Sequence, residues 1–177
     1  MTPFSKDSDG NLVVGFTPVE VDIIADLAAQ IAAMLGDLAG TRDADPLFDS
    51  VGIGGSVTID DDPAIARLLP DAYGGDREAS SDFRQLTERS LARRKVANAG
   101  VVIASLARAE GTVVLGEQEA QAWLRTLSDI RLTIAARLGI ETDGEDGDTG
   151  TDAAAALHDL YDWLAFVTES LLDALED

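Results

Sequence analysis

Residues 11–40 read NLVVGFTPVEVDIIADLAAQIAAMLGDLAG, and they decide the fold because a strand pattern passes directly into a long helix pattern. Thr17 can cap the helix, Pro18 suits its first turn, and Glu20 completes a capping box with Thr17. Gly40 is a typical helix end. Apolar residues recur between them at helical spacing: Val19, Ile23, Ile24, Leu27, Ile31, Met34, Leu35 and Leu38. The stretch predicts a short strand followed by an amphipathic helix.

Three more long helices are predicted downstream, at about 81–108, 117–138 and 152–175. A short helix is predicted to begin at Asp62 and to end before Pro70. Together with the first helix, these segments predict an irregular bundle of about four major helices. The helix predicted at about 117–138 carries one apolar stripe that we expect in the core: Ala120, Trp123, Leu127, Ile130 and Ile134.

A second strand pattern, TVVL at residues 112–115, is expected to pair with residues 11–16 as a small two-stranded β ribbon. The predicted fold class is therefore mainly α, with that ribbon attached to the bundle. A length of 177 residues suits a single domain, 1–177. Within it, residues 1–10 are expected to be a loose N-terminal tail, and residues 141–152 (ETDGEDGDTGTD) a flexible acidic loop.

The composition excludes several kinds of chemistry. There is no cysteine, which excludes disulfides, thiol catalysis and cysteine-ligated metals. His158 is the single histidine, so no histidine pair can act or bind a metal. No nucleotide-binding or serine-nucleophile motif is present. The sequence therefore predicts no catalytic, cofactor-binding or metal-binding residue and no cofactor. Carboxylates are abundant, and a carboxylate-based enzyme stays open as an alternative.

The overall charge limits the partners. A formal charge of −20 and a pI near 4.1 oppose contact with nucleic acid and with anionic membranes at long range. No apolar run approaches the roughly 18 residues that a membrane-spanning helix needs. The first residues are polar, unlike a secretory signal. We expect a cytoplasmic protein without membrane contact, with nucleic acid disfavoured as a partner.

Basic residues are concentrated in one segment. Nine of the 13 Lys and Arg residues lie between Arg84 and Arg137, together with five acids, whereas the other residues contain four Lys or Arg and 28 acids. Five of these cations are candidate partner-binding residues: Arg84, Arg89, Arg93, Arg94 and Lys95. At about 100° per residue they point to several faces of the predicted helix. We expect most of the four arginines to contact carboxylates within the chain, because 28 acids lie outside this basic segment. Contact with a protein partner and contact with nucleic acid are the alternatives.

Phe166 is the remaining candidate partner-binding residue. It lies on the acidic arc of the last predicted helix, opposite the apolar arc. That acidic arc contains Asp159, Asp162, Glu169, Asp173 and Glu176. A large aromatic ring on a charged face is typical of a contact surface. We expect Phe166 to be covered, either by the same chain or by another one, with a homodimer as one alternative.

Several segments in combination resemble a known family. They are 62–73 (DPAIARLLPDAY), 83–88 (FRQLTE), 93–99 (RRKVANA), 122–125 (AWLR), 129–132 (DIRL), 137–140 (RLGI) and 161–164 (YDWL). The chain resembles an actinobacterial family of unknown function, whose genes often lie beside that of the Clp-protease adaptor. The resemblance covers most of the chain.

The resemblance implies a cytoplasmic, mainly helical protein with no assigned enzyme activity and a link to regulated proteolysis. A redox-responsive role in transcription has been proposed within the family. A thiol switch requires cysteine, which this chain does not contain.

The sequence therefore predicts a non-enzymatic regulatory or adaptor-like protein that acts through protein–protein contacts. One alternative is a transcription regulator that contacts DNA or a sigma factor through the basic helix. Another is a small-molecule-binding protein or carboxylate-based enzyme with a pocket between helices.

Overall fold

A computed structural model describes residues 1–40, 62–70, 81–109, 111–142, 145 and 147–176, with the backbone alone for residues 81–86. It confirms the mainly α class, with five helices and three strands in these ranges. The helices are α1 (Pro18–Ala39), α2 (Pro63–Leu68), α3 (Ser81–Ala107), α4 (Glu117–Leu138) and α5 (Asp152–Glu176), and the strands are β1 (Ser5–Lys6), β2 (Leu12–Val14) and β3 (Val113–Leu115).

Helix α1 begins and ends at the predicted signals. The Thr17 hydroxyl accepts a hydrogen bond from the backbone N–H of Glu20, and the Glu20 carboxylate accepts one from the backbone N–H of Thr17 at 2.7 Å. Gly40 follows the helix with φ at 66°, a left-handed conformation that glycine adopts without steric cost. Local capping chemistry therefore sets both ends of α1.

The predicted pairing of two strands is correct, but the sheet contains a third. β2 pairs antiparallel with β3, and Val13 lies opposite Val114. β1 adds to the other side of β2, with Ser5 opposite Val13. The strand order β1–β2–β3 therefore replaces the predicted two-stranded ribbon.

The first residues do not form the predicted loose tail. Phe4 is buried, and its backbone N–H donates to the Ser170 hydroxyl at 2.8 Å. The amino group of Met1 is paired with the Glu20 carboxylate at 2.7 Å. Burial of the Phe4 ring and these polar contacts hold residues 1–6 against α1 and α5.

The core is built around α4, which packs against the other four helices. Trp123 is fully buried, stacks on Phe16 and meets Phe4 edge to face. Its indole N–H donates to the Ser105 hydroxyl at 2.8 Å, which satisfies a donor that would be costly to bury alone. The predicted stripe is confirmed, since every one of its members is buried: Ala120, Trp123, Leu127, Ile130 and Ile134.

Residues 141–152 contain local hydrogen bonds where the structure describes them. The backbone N–H of Asp148 donates to the carbonyl of Leu138 at 2.8 Å. The Glu145 carboxylate accepts from the backbone N–H of Glu141 at 2.7 Å. The flexibility of this segment and the single-domain organisation both stay predictions.

Candidate partner-binding site

Helix α3 places the basic candidates in different surroundings. Arg89, Arg93 and Arg94 are exposed. Arg93 donates from Nε to the backbone carbonyl of Ala39 at 2.8 Å. That carbonyl belongs to the last residue of α1, where carbonyls have no partner within the helix and favour a cation. Arg93 therefore joins α3 to the end of α1. The side chain of Arg84 lies outside the described residues.

Contrary to the expectation from the sequence, Arg89, Arg93 and Arg94 contact no carboxylate among the described residues. Arg93 bonds a carbonyl oxygen instead. Arg89 and Arg94 form no ion pair with any residue of the described ranges. The physical reason is position, because α3 meets α1 and α4 through its apolar residues and directs these two guanidinium groups into solvent.

Lys95 differs from the arginines because it is turned inward. Its ammonium group bonds the carboxylate of Asp129 on α4, and the two side chains are only 15% and 6% exposed. Burial raises the pKa of Asp129, an effect that the Lys95 ammonium opposes. This ion pair links α3 to α4 inside the protein.

Phe166 is only partly covered by its own chain, and whether another chain covers the rest stays a prediction. Its side chain is 50% exposed. It borders a groove of about 270 Å³ between the N-terminal segment and α5. The groove is lined by Pro3, Phe4, Phe166, Glu169, Ser170, Asp173 and Ala174. We call it the Phe166 groove.

The Phe166 groove has an apolar floor and a negative rim. Phe4 and Ala174 are buried beneath it. Glu169 and Asp173 are exposed, and neither forms a hydrogen bond or ion pair with a residue that the structure describes. The carboxylate charges at the rim are therefore available to a ligand from outside.

Sequence reasoning found Phe166 but missed the opposite wall of the groove. That wall is formed by Pro3 and Phe4. One signal was present, since Phe4 is the one aromatic residue in the mainly polar stretch MTPFSKDSDG. An apolar ring in such a segment indicates that the segment packs against the core.

A smaller groove of about 150 Å³ lies between α1 and α4. It is lined by Leu27, Gln30, Ile31, Met34, Ile130, Thr133, Ile134, Arg137 and Leu157. Arg137 at its border donates to the Asp62 carboxylate at 2.7 Å. This hydrogen bond is the main cause that holds the pKa of Asp62 below its usual range. The lining of this groove is mainly apolar, and its arginine is already paired.

Two other kinds of site are absent from the described residues. In the part of the chain that the structure describes, no group of three or more His, Asp or Glu side chains is arranged to hold a metal ion. Within the same ranges, no helix has both the length and the apolar composition needed to cross a membrane.

The chain belongs to the family described as Domain of unknown function (DUF2017), whose profile matches residues 1–175. The resemblance inferred from the sequence is confirmed to that extent. The gene neighbourhood stays an expectation.

Mycobacterial proteins are among its relatives. The chain is 26% identical over 172 residues to the "Putative oxidative stress regulator AosR" of Mycobacterium leprae (strain TN), covering 89% of this chain and 79% of the relative. It is 27% identical over 169 residues to the "Oxidative stress regulator AosR" of Mycobacterium tuberculosis (strain ATCC 25618 / H37Rv), covering 88% and 78%. No solved structure matches the chain.

Proposed function

We propose that this chain is a non-enzymatic regulatory protein of the cytoplasm that acts by binding other proteins. The observation that carries the proposal is the half-exposed ring of Phe166. Contact between water and a large apolar ring is unfavourable, so covering the ring with a partner would make the binding free energy more favourable. The regulatory part of the proposal is supported by the relatives that are named oxidative stress regulators.

A second contact surface belongs to the same proposal. The exposed guanidinium groups of Arg89 and Arg94 can each bind a carboxylate through two parallel hydrogen bonds. Arg93 is exposed on the same helix and extends this surface, and Arg84 stays a candidate partner-binding residue on the basis of the sequence alone. Lys95, which is paired with Asp129, would support it from inside by holding α3 in place. The two surfaces suit an adaptor-like role, because they differ in charge and can hold different partners.

Affinity capture from native cytoplasm tests the proposal. The baits are the wild type, Phe166→Ala, the double variant Arg89→Ala/Arg94→Ala, and the control Asp22→Asn/Asp26→Asn on exposed positions of α1. We expect at least one protein to be retained by the wild type and the control but lost by Phe166→Ala or by the arginine variant. Identical captured proteins for all four baits would contradict the proposal.

One observation favours a second candidate, a transcription regulator that contacts DNA or a sigma factor through α3. Arg89 and Arg94 are exposed, and phosphate groups are also bound by arginine. Fluorescence anisotropy with a labelled DNA duplex, and with a purified sigma factor, distinguishes these targets. For DNA, affinity should fall steeply with salt and should fall again in Arg89→Ala/Arg94→Ala. Absence of DNA binding at low salt would remove the DNA version.

A further inference from the structure

We infer that the Phe166 groove binds a basic segment of a partner protein, with one bulky apolar side chain of that segment seated against Phe166. The inference rests on the proposed function and gives the chemistry of its partner. Three properties of the groove lead to it: its size, its uncompensated rim and the charge of the whole chain.

The size of the groove favours a single side chain. Its volume of about 270 Å³ lies below the roughly 300–1,000 Å³ of pockets that enclose drug-sized molecules. Phe4 and Ala174 form a buried apolar floor, and Phe166 presents half of its surface beside it. An apolar side chain from a partner would therefore meet carbon on both sides and would remove the Phe166 ring from water.

The rim determines the charge of the segment. Glu169 and Asp173 border the groove and have no cationic partner among the described residues. Covering them with an apolar or acidic surface would remove carboxylates from water without compensation, which costs free energy. Lysine or arginine beside the apolar side chain would supply that compensation and would also speed association.

The charge of the whole chain argues for a different protein rather than a second copy. Each copy carries −20, so two copies repel each other at long range. A segment rich in lysine and arginine is attracted by the same field. The acidic face of α5 continues this attraction beyond the groove, since Asp159 and Glu176 are also exposed.

Nuclear magnetic resonance with synthetic peptides tests the inference on the full chain labelled with ¹⁵N. The probe is a short peptide with Leu-Phe flanked on both sides by lysines. One comparison peptide keeps the lysines and replaces Leu-Phe with Ser-Ser, and the other keeps Leu-Phe and replaces the lysines with glutamates. We expect the first peptide to shift the amide signals of Phe4, Phe166 and Ala174, and the other two to leave them unchanged.

Variants separate docking in the groove from general attraction to an acidic protein. Phe166→Ala should lower the affinity for the Leu-Phe peptide by about tenfold or more, as truncation of a central aromatic contact does. The rim variant Glu169→Gln/Asp173→Asn should lower this affinity by about two- to fivefold. The control Asp22→Asn/Asp26→Asn removes the same charge from α1 and should have a smaller effect.

Three outcomes would overturn the inference. They are equal weakening by the rim variant and the α1 control, binding that does not depend on Phe166, and a wild-type dimer in analytical ultracentrifugation that Phe166→Asp dissociates. The last result would assign the groove to a second copy. If the peptide fails to bind while native capture still depends on Phe166, the proposed function stands and only the basic, apolar chemistry is wrong.

Discussion

Helices α4 and α5 are similar in length but differ in how they use their side chains. α4 packs against the other four helices, and its buried residues Thr126 and Asp129 have partners inside the chain: the Thr126 hydroxyl donates to the Ala122 carbonyl, and Asp129 bonds Lys95. The exception on α4 is the Nε of Arg131, which is buried without a hydrogen-bond partner among the described residues. α5 packs against α4 and β1, and its outer side exposes Phe166. A surrounded helix must satisfy its groups internally, whereas a helix packed on one side can keep groups available for another protein.

The largest effect is expected from removing the cation of the buried ion pair. Lys95→Met leaves the Asp129 carboxylate, only 6% exposed, without its partner. The loss should be about 3–5 kcal/mol of unfolding free energy, measured by urea denaturation. Adding Asp129→Leu to this variant should recover much of the loss, because an apolar pair replaces the buried charges. A cost below about 1 kcal/mol for Lys95→Met would place the pair among surface ion pairs.

A large-to-small change in the core tests the α4 side of the comparison. Ile130 is 1% exposed, and Ile130→Ala should cost about 2–5 kcal/mol because it leaves a cavity. Leu132 lies on the same helix but is 41% exposed, so Leu132→Ala is the matched control and should cost less. Equal losses in thermal or urea unfolding would mean that the two faces of α4 do not differ as described.

The pKa values of Asp129 and Asp62 are shifted in opposite directions, so the contributions of these two carboxylates to stability should change in opposite directions with pH. Burial raises the pKa of Asp129 in the folded protein. Its contribution to stability is therefore complete below the pKa of the unfolded state, about 3.9, and is lost as the pH rises through the raised pKa of the folded state. The hydrogen bond from Arg137 lowers the pKa of Asp62. The contribution of Asp62 to stability is present above about pH 3.9, the pKa of the unfolded state, and is lost as the pH falls through the lowered pKa of the folded state.

The measurement is the unfolding free energy of wild type, Asp129→Asn and Asp62→Asn between about pH 6 and about pH 3. On acidification, the difference between wild type and Asp129→Asn should move in favour of the wild type. The difference between wild type and Asp62→Asn should move in favour of the variant. Two differences that move in the same direction would show that one of the pKa directions is wrong.

The smallest stability effect is expected on α5. Full burial of a phenylalanine contributes about 1.5–3 kcal/mol, and Phe166 is half exposed, so Phe166→Ala should cost about 1 kcal/mol. Capture of a partner should nevertheless be lost. A cost of about 3 kcal/mol or more, as for a buried ring, would mean that Phe166 belongs to the core and would remove the contrast between the helices.

The sequence predicted the elements whose signals are local. Thr17, Glu20 and Gly40 mark the ends of α1, and the spacing of Trp123 and Ile130 marks the buried face of α4. Such signals depend on residues a few positions apart, and the structure follows them.

Features that depend on distant residues could not be predicted in the same way. The bond from Phe4 to Ser170 joins positions 166 residues apart, and no pattern within residues 1–10 specifies it. The partner of Arg93 is a backbone carbonyl, which any residue could supply. Charge counting therefore predicted a carboxylate where helix packing supplied the end of α1. The exposure of Phe166 likewise depends on which helices reach α5.

The contact between Phe4 and Ser170 also has a consequence for synthesis. At about 5–20 residues per second, a ribosome needs about 8–33 s to add the 166 residues that separate these positions. Until Asp152 is reached, no part of α5 has been made, and the Phe166 groove has only one of its walls. A protein that recognises the groove as proposed above would therefore not bind a nascent chain before the groove residues of α5 have been added.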